Sequence, residues 1–176
     1  MKRALMLACG NPLRGDDGLG EWMAAKVEEQ FTRSEIEVVS LHQLTPEMAE
    51  PISSADTVIF LDCTTMTAPG EVSMQPVAPA EKLPRFIGHY MQPSTLLRLS
   101  QELYGRIPRH TYFITVGGKS FKMEHRLSDV VRDATPAVLS LVGRILQGAN
   151  NLRWNLPGSE QLVVGVEEDI SELSSV

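Results

Sequence analysis

Gly10-Asn11-Pro12-Leu13-Arg14-Gly15-Asp16-Asp17-Gly18-Leu19-Gly20 joins two segments of different periodicity. Before it runs Ala4-Leu5-Met6-Leu7-Ala8, an unbroken apolar stretch that reads as a buried strand over about Arg3 to Ala8. After it, Trp22, Met23, Val27 and Phe31 fall near helical spacing, which predicts a helix over about Gly18 to Phe31. Two adjacent carboxylates therefore sit in a glycine-rich strand-to-helix turn. In an open α/β sheet such a turn lies at the carboxyl edge of the strands, where ligands bind.

The same alternation continues along the chain. Residues 36–41 are rich in β-branched side chains and predict a second strand. Thr45-Pro46 predicts a helix start, with Thr45 as N-cap and Pro46 in the first turn, and that helix ends near Ile52. A third strand is expected over Thr57 to Leu61 with Asp62 at its carboxyl end, and another over Glu71 to Gln75 after the Pro69-Gly70 turn. Pro76 to Gly88 reads as irregular. Ser94 to Tyr104 predicts a helix closed by Gly105, and His110 to Val116 a further strand. Ser128 is the expected N-cap of a long helix reaching about Gln147, with Pro136 marking a kink or a break. Strands alternating with helices predict a mostly parallel sheet covered by helices on both faces. Residues 1–147 are expected to form one α/β domain, and 148–176 a polar, acidic tail in which Leu162-Val163-Val164 could add an edge strand.

Composition narrows the function classes. A net charge of −6 over 176 residues argues against a general nucleic-acid binder. No apolar run approaches the roughly 20 residues of a membrane span. The basic start Lys2-Arg3 and its short apolar run pass straight into the turn, so they read as a strand and not as a signal peptide. Two cysteines, Cys9 and Cys63, make no disulfide framework. A cytoplasmic monomer is the expectation, with no membrane or nucleic-acid partner.

Asp16 and Asp17 carry the strongest chemical signal. A turn or N-cap role accounts for one of them, since a carboxylate suits the positive end of a helix. It accounts less well for both, because adjacent like charges repel. A helix start favours the ionised form, which is the form a divalent metal takes. The glycines match neither G-x-G-x-x-G nor G-x-x-x-x-G-K-S/T, and two aspartates would oppose a phosphate. Asp62 ends an apolar strand on the same sheet edge. A cap is the alternative role for it. His89 precedes a helix after an irregular segment, and with Asp17 and Asp62 it completes a mixed oxygen and nitrogen set suited to a first-row divalent ion. His42, after the second strand, is a weaker candidate ligand; His110 and His125 carry no contextual signal. Cys9 and Cys63 lie at strand ends, where each is either a small buried hydrophobe or a soft ligand or reactive thiol.

Gly10-Asn11-Pro12-Leu13-x-x-Asp16-Asp17-Gly18-x-Gly20, Asp62 after an apolar strand and His89 before a helix together resemble the nickel–iron hydrogenase maturation proteases. The segments 42–50, 96–105 and Leu127-Ser128 add to a resemblance that spans roughly residues 3–147. It implies a twisted, mainly parallel sheet of about five strands between helices, a three-layer α/β sandwich. It implies an endopeptidase that removes a C-terminal extension from the nickel-loaded precursor of a nickel–iron hydrogenase large subunit, completing its maturation. The family's metal-binding trio falls on Asp17, Asp62 and His89. Nickel, carried by the substrate, serves as the recognition signal, and cadmium or zinc are the stand-ins expected in a crystal. Three departures stand out: Ala8 where the family has Gly, Cys63 where it usually has Ala, and Ser40-Leu41-His42-Gln43 where other branches carry an Asp.

On this reading water attacks the scissile carbonyl with Asp16 or Asp17 as general base, and a metal polarises the carbonyl. The sequence has neither H-E-x-x-H nor G-x-S-x-G, which sets aside zincin-type and serine-elbow hydrolysis. The rival readings are a non-catalytic metal-sensing chaperone for a metalloenzyme subunit, and an unrelated α/β enzyme of small phosphorylated or nucleoside substrates.

Overall fold

The computed structural model describes residues 4–84 and 91–148. Five strands, β1 (Ala4–Cys9), β2 (Ile36–Leu41), β3 (Thr57–Thr64), β4 (Val72–Pro76) and β5 (His110–Gly117), form one sheet in the order β2-β1-β3-β5-β4. β1 runs parallel to β2 and β3, and β3 parallel to β5. Only β4, on the edge, pairs antiparallel. The helices are α1 (Leu19–Gln30), α2 (Ala49–Ser54), α3 (Pro93–Tyr104), α4 (Asp129–Asp133) and α5 (Thr135–Leu146).

Strand periodicity divides the core into two layers. Side chains alternate across a strand, so Ala4, Met6 and Ala8 of β1 join one cluster and Leu5, Leu7 and Cys9 the other. The first cluster takes Leu19, Met23 and Val27 from α1 and Val138, Leu141 and Val142 from α5. The second takes Ala49 and Ile52 from α2 and Leu96, Leu97 and Leu99 from α3. Leu5, Met6 and Leu7 are fully buried, each contributing about 1.5–3 kcal/mol of transfer free energy. A strand that is apolar at every position is what a sheet covered on both faces requires. The expected three-layer α/β sandwich, a mostly parallel sheet of five strands with helices on both faces, is the fold observed.

Four local readings change. β3 runs three residues past Leu61, because Asp62, Cys63 and Thr64 keep pairing with Thr115, Val116 and Gly117 of β5. Asp62 is thus part of the strand and shares the face of Val58 and Phe60. Thr45 occupies the N-cap position, but its hydroxyl makes no capping bond, and a single tight turn, Pro46–Met48, precedes α2. The long helix from Ser128 is two helices that break at Ala134. Pro136 lies in the first turn of α5, where a missing N–H loses no helical bond. Ser128 stands at the N-cap of α4 but turns its hydroxyl to Asp16 instead. The tail, the strand expected at Leu162-Val163-Val164 and His89 all lie outside the described residues. No described helix is long and apolar enough to cross a membrane.

Candidate functional site

The chain leaves β1 for β2 on one side and returns to β3 on the other. The connecting helices α1 and α2 consequently pack on opposite faces of the sheet. The loops at the carboxyl ends of β1 and β3 diverge at this switch point and open a crevice. A cavity of about 290 Å³ lies there. Cys9, Asp17, His42, Asp62 and Cys63 line it, and α3 closes it with the residues that begin at Met91.

Close backbone packing sets the turn that carries Asp17. Gly10 has φ +141°, and a Cβ there would lie 1.8 Å from the Asp17 carbonyl oxygen. Only glycine lets the chain leave β1 this tightly. The Gly10 N–H donates to the Leu41 carbonyl at 2.9 Å, which fixes the turn against β2. Asp16 and Asp17 then fall on one short 3₁₀ turn, Gly15–Gly18.

The two aspartates have different surroundings. Asp17 is half-buried and lines the cavity, with one oxygen accepting from the Asn11 N–H at 3.2 Å. Asp16 is 0 % exposed and is not among the described residues that line the cavity. Its carboxylate accepts from the N–H groups of Lys119 (2.7 Å), Ser120 (2.8 Å) and Ser128 (2.6 Å) and from the Ser128 hydroxyl (2.9 Å). Burial pushes the Asp16 pKa up, but these four donors outweigh it and hold the group below the ordinary carboxylate range.

Asp62 faces the cavity from β3, and one oxygen accepts from the Cys63 N–H at 2.8 Å. Burial raises its pKa to about 6, the Cys63 N–H opposes the rise, and the charge of Asp17 adds to it. A cation beside Asp62 would favour its ionised form against that burial. Cys9 and Cys63 are both pushed up to about 12, chiefly by burial and then by the neighbouring aspartates. Neither thiol is a nucleophile at neutral pH without a partner that removes its proton.

The structure thus brings Asp17 and Asp62 together, with His42, Cys9 and Cys63 on the same walls, and turns Asp16 away from them. Among the described residues, no group of three or more His, Cys, Asp and Glu side chains is arranged to hold a metal ion. A second groove, of about 410 Å³, opens beyond the same turn between Trp22 and Arg126. Glu21 is the one carboxylate among its lining residues, so it lacks a paired acidic centre. Sequence reading missed Lys119, Ser120 and Ser128 as partners of Asp16. They lie more than 100 residues away and act mainly through backbone N–H groups, which leave no residue-type signal.

The fold has close solved counterparts. A hydrogenase 2 maturation peptidase from a Thaumarchaeota archaeon superposes with a TM-score of 0.60 at 25% identity, over 82% of this chain and 98% of that one. This chain has the fold of the hydrogenase maturation peptidases. The NiFe hydrogenase maturation protease HybD from Thermococcus kodakarensis gives a TM-score of 0.62 at 23% identity, covering 82% of this chain and 99% of its own. The hydrogenase maturating endopeptidase HybD from E. coli gives 0.65 at 19% identity, covering 84% and 93%. No family model and no curated protein matches the sequence.

Proposed function

We propose that this chain is a hydrogenase maturation endopeptidase, which cleaves a C-terminal extension from the nickel-loaded precursor of a nickel–iron hydrogenase large subunit. The observation that carries this reading is the carboxylate pair, Asp17 and Asp62, at the switch point of a fold shared with peptidases of that name. Each carboxylate has one oxygen that accepts no hydrogen bond from the described residues. Two such oxygens suit a divalent cation, and an added imidazole nitrogen makes the mixed set of a first-row ion. His89 supplies the third donor. It precedes Met91 by two residues, and Met91 lines the cavity; two residues of extended chain span about 7 Å.

In this mechanism Asp17, Asp62 and His89 grip the nickel that the precursor carries, and the scissile peptide lies across the cavity mouth. Water adds to the scissile carbonyl carbon, the C–N bond breaks, and the water's proton passes to the departing amine. Asp17 is the aspartate of the turn placed to take that proton. Asp16 is 0 % exposed and is not among the described residues that line the cavity, so cavity water does not reach it. The two thiols take no part as nucleophiles, since both hold their protons.

Incubating the purified chain with a nickel-loaded large-subunit precursor tests the reading. The expected result is a shortened precursor and a released peptide in the mass spectrum. Asp17→Asn and His89→Ala are expected to abolish the product while keeping the circular dichroism of the parent. Full cleavage by either variant would refute the assignment.

A further inference from the structure

We propose that Asp16 is a positioning residue, whose buried carboxylate locks the turn to the loop between β5 and α4 and so sets where Asp17 presents its own carboxylate. The proposal rests on the reading of Asp17 as part of the nickel-gripping set.

The turn and the loop are joined twice. Backbone bonds run from the Gly15 N–H to the Glu124 carbonyl (2.8 Å), from the Asp16 N–H to the Ser120 carbonyl (2.8 Å) and from the Glu124 N–H to the Leu13 carbonyl (3.1 Å). The Asp16 side chain then reaches across to Lys119, Ser120 and Ser128. One residue is thus held at its backbone and at its carboxylate by the same loop, and the next peptide unit carries Asp17. All four groups that meet the carboxylate are donors. An amide in its place has one acceptor oxygen and a donor NH₂, so at least one donor would face another donor in a site with no access to water. The turn must then shift or lose bonds, and Asp17 moves with it. Outer residues that hold a metal-binding side chain in place typically control affinity by 10- to 100-fold.

The test titrates nickel(II) alone into the full chain by calorimetry and measures kcat and KM on the nickel-loaded precursor. Asp16→Asn, verified as folded at the working temperature, is expected to bind nickel about 10- to 100-fold more weakly. Ser128→Ala deletes only the hydroxyl bond, so its loss should be a few-fold, and Ser128→Thr should restore the parent affinity. If Asp16→Asn fails to fold, the serine pair carries the test. A role confined to stability would lower Tm in Asp16→Asn and Ser128→Ala while the folded protein kept parent nickel affinity, KM and kcat, and that result overturns the proposal. A parent chain that neither binds nickel nor cuts the precursor refutes the proposed function instead, so the two failures are distinct.

Discussion

Replacing Gly10 with alanine separates two ways in which a glycine can matter. The added Cβ would sit 1.8 Å from the Asp17 carbonyl oxygen, where real Cβ contacts essentially never fall below 3.0 Å. The neighbouring atom is backbone, so Asp17 itself must move by about 1.2 Å or the end of β1 must open. The φ of +141° adds a conformational strain of about 1–3 kcal/mol for any residue with a Cβ. Gly105 is the control. It also has a positive φ, +66°, but nothing lies within 4 Å of its Cβ position. Gly105→Ala should therefore lose only the left-handed backbone term, about 1–2 kcal/mol, with nickel binding unchanged. Gly10→Ala should lose more than that and also lose nickel affinity, because displacing a positioned group by about 1 Å can reduce its function 100-fold. Urea denaturation and nickel calorimetry on both variants provide the readouts. Equal stability losses in the two, with parent nickel affinity in Gly10→Ala, would refute the claim that close packing at Gly10 sets the place of Asp17.

Two further outcomes follow from the electrostatics. The folded pKa of Asp62, about 6, lies above the unfolded value near 3.9, so the folded protein holds this proton more tightly and stability falls as pH rises from about 4 to 6; Asp62→Asn should be more stable than the parent by up to about 3 kcal/mol in urea at pH 7.5, gain nothing at pH 4, and fail to process the precursor, and lower stability than the parent at both pH values would refute the reading. Cys63, held at about 12, should resist iodoacetamide at pH 7.5 in the folded chain, and Cys63→Ala should still process the precursor; rapid alkylation, or loss of the product peptide in Cys63→Ala, would bring the thiol back into the mechanism.

The layer architecture was legible because it depends on local pattern. β1 is apolar at every position, as a strand covered on both sides must be, and α3 spans nearly the predicted residues between Pro93 and the left-handed Gly105. The extension of β3 was not legible. The residues after Leu61 are polar, and their strand geometry comes from hydrogen bonds to β5, about 50 residues later. Thr45 and Ser128 both carry the side chain that favours an N-cap, yet neither hydroxyl caps. Propensity reports what a side chain can bond. Tertiary structure decides what it does bond, and at Ser128 the stronger partner is a buried carboxylate.

The division of labour between Asp16 and Asp17 was hidden for a different reason. Adjacent residues of identical chemistry give a sequence reader no basis for separate roles. The 3₁₀ turn supplies one, because at about three residues per turn successive side chains point about 120° apart. One aspartate therefore enters the packed seam with residues 119–128, and the other reaches the cavity. The seam supplies four donors, which keep Asp16 ionised without a cation. At the cavity, among the described residues, Asp17 accepts only from the distant Asn11 N–H, and Asp62 only from the Cys63 N–H. Burial raises the Asp62 pKa, and the charge of Asp17 adds to the rise. Under the proposed function, a metal ion brought in by a partner would offset this cost, and the ion's arrival would be coupled to the partner's binding. Under the proposed function, the like charges that explain poorly as two caps become two halves of one device, a carboxylate bound into the seam that holds the turn and a cavity carboxylate that takes the cation.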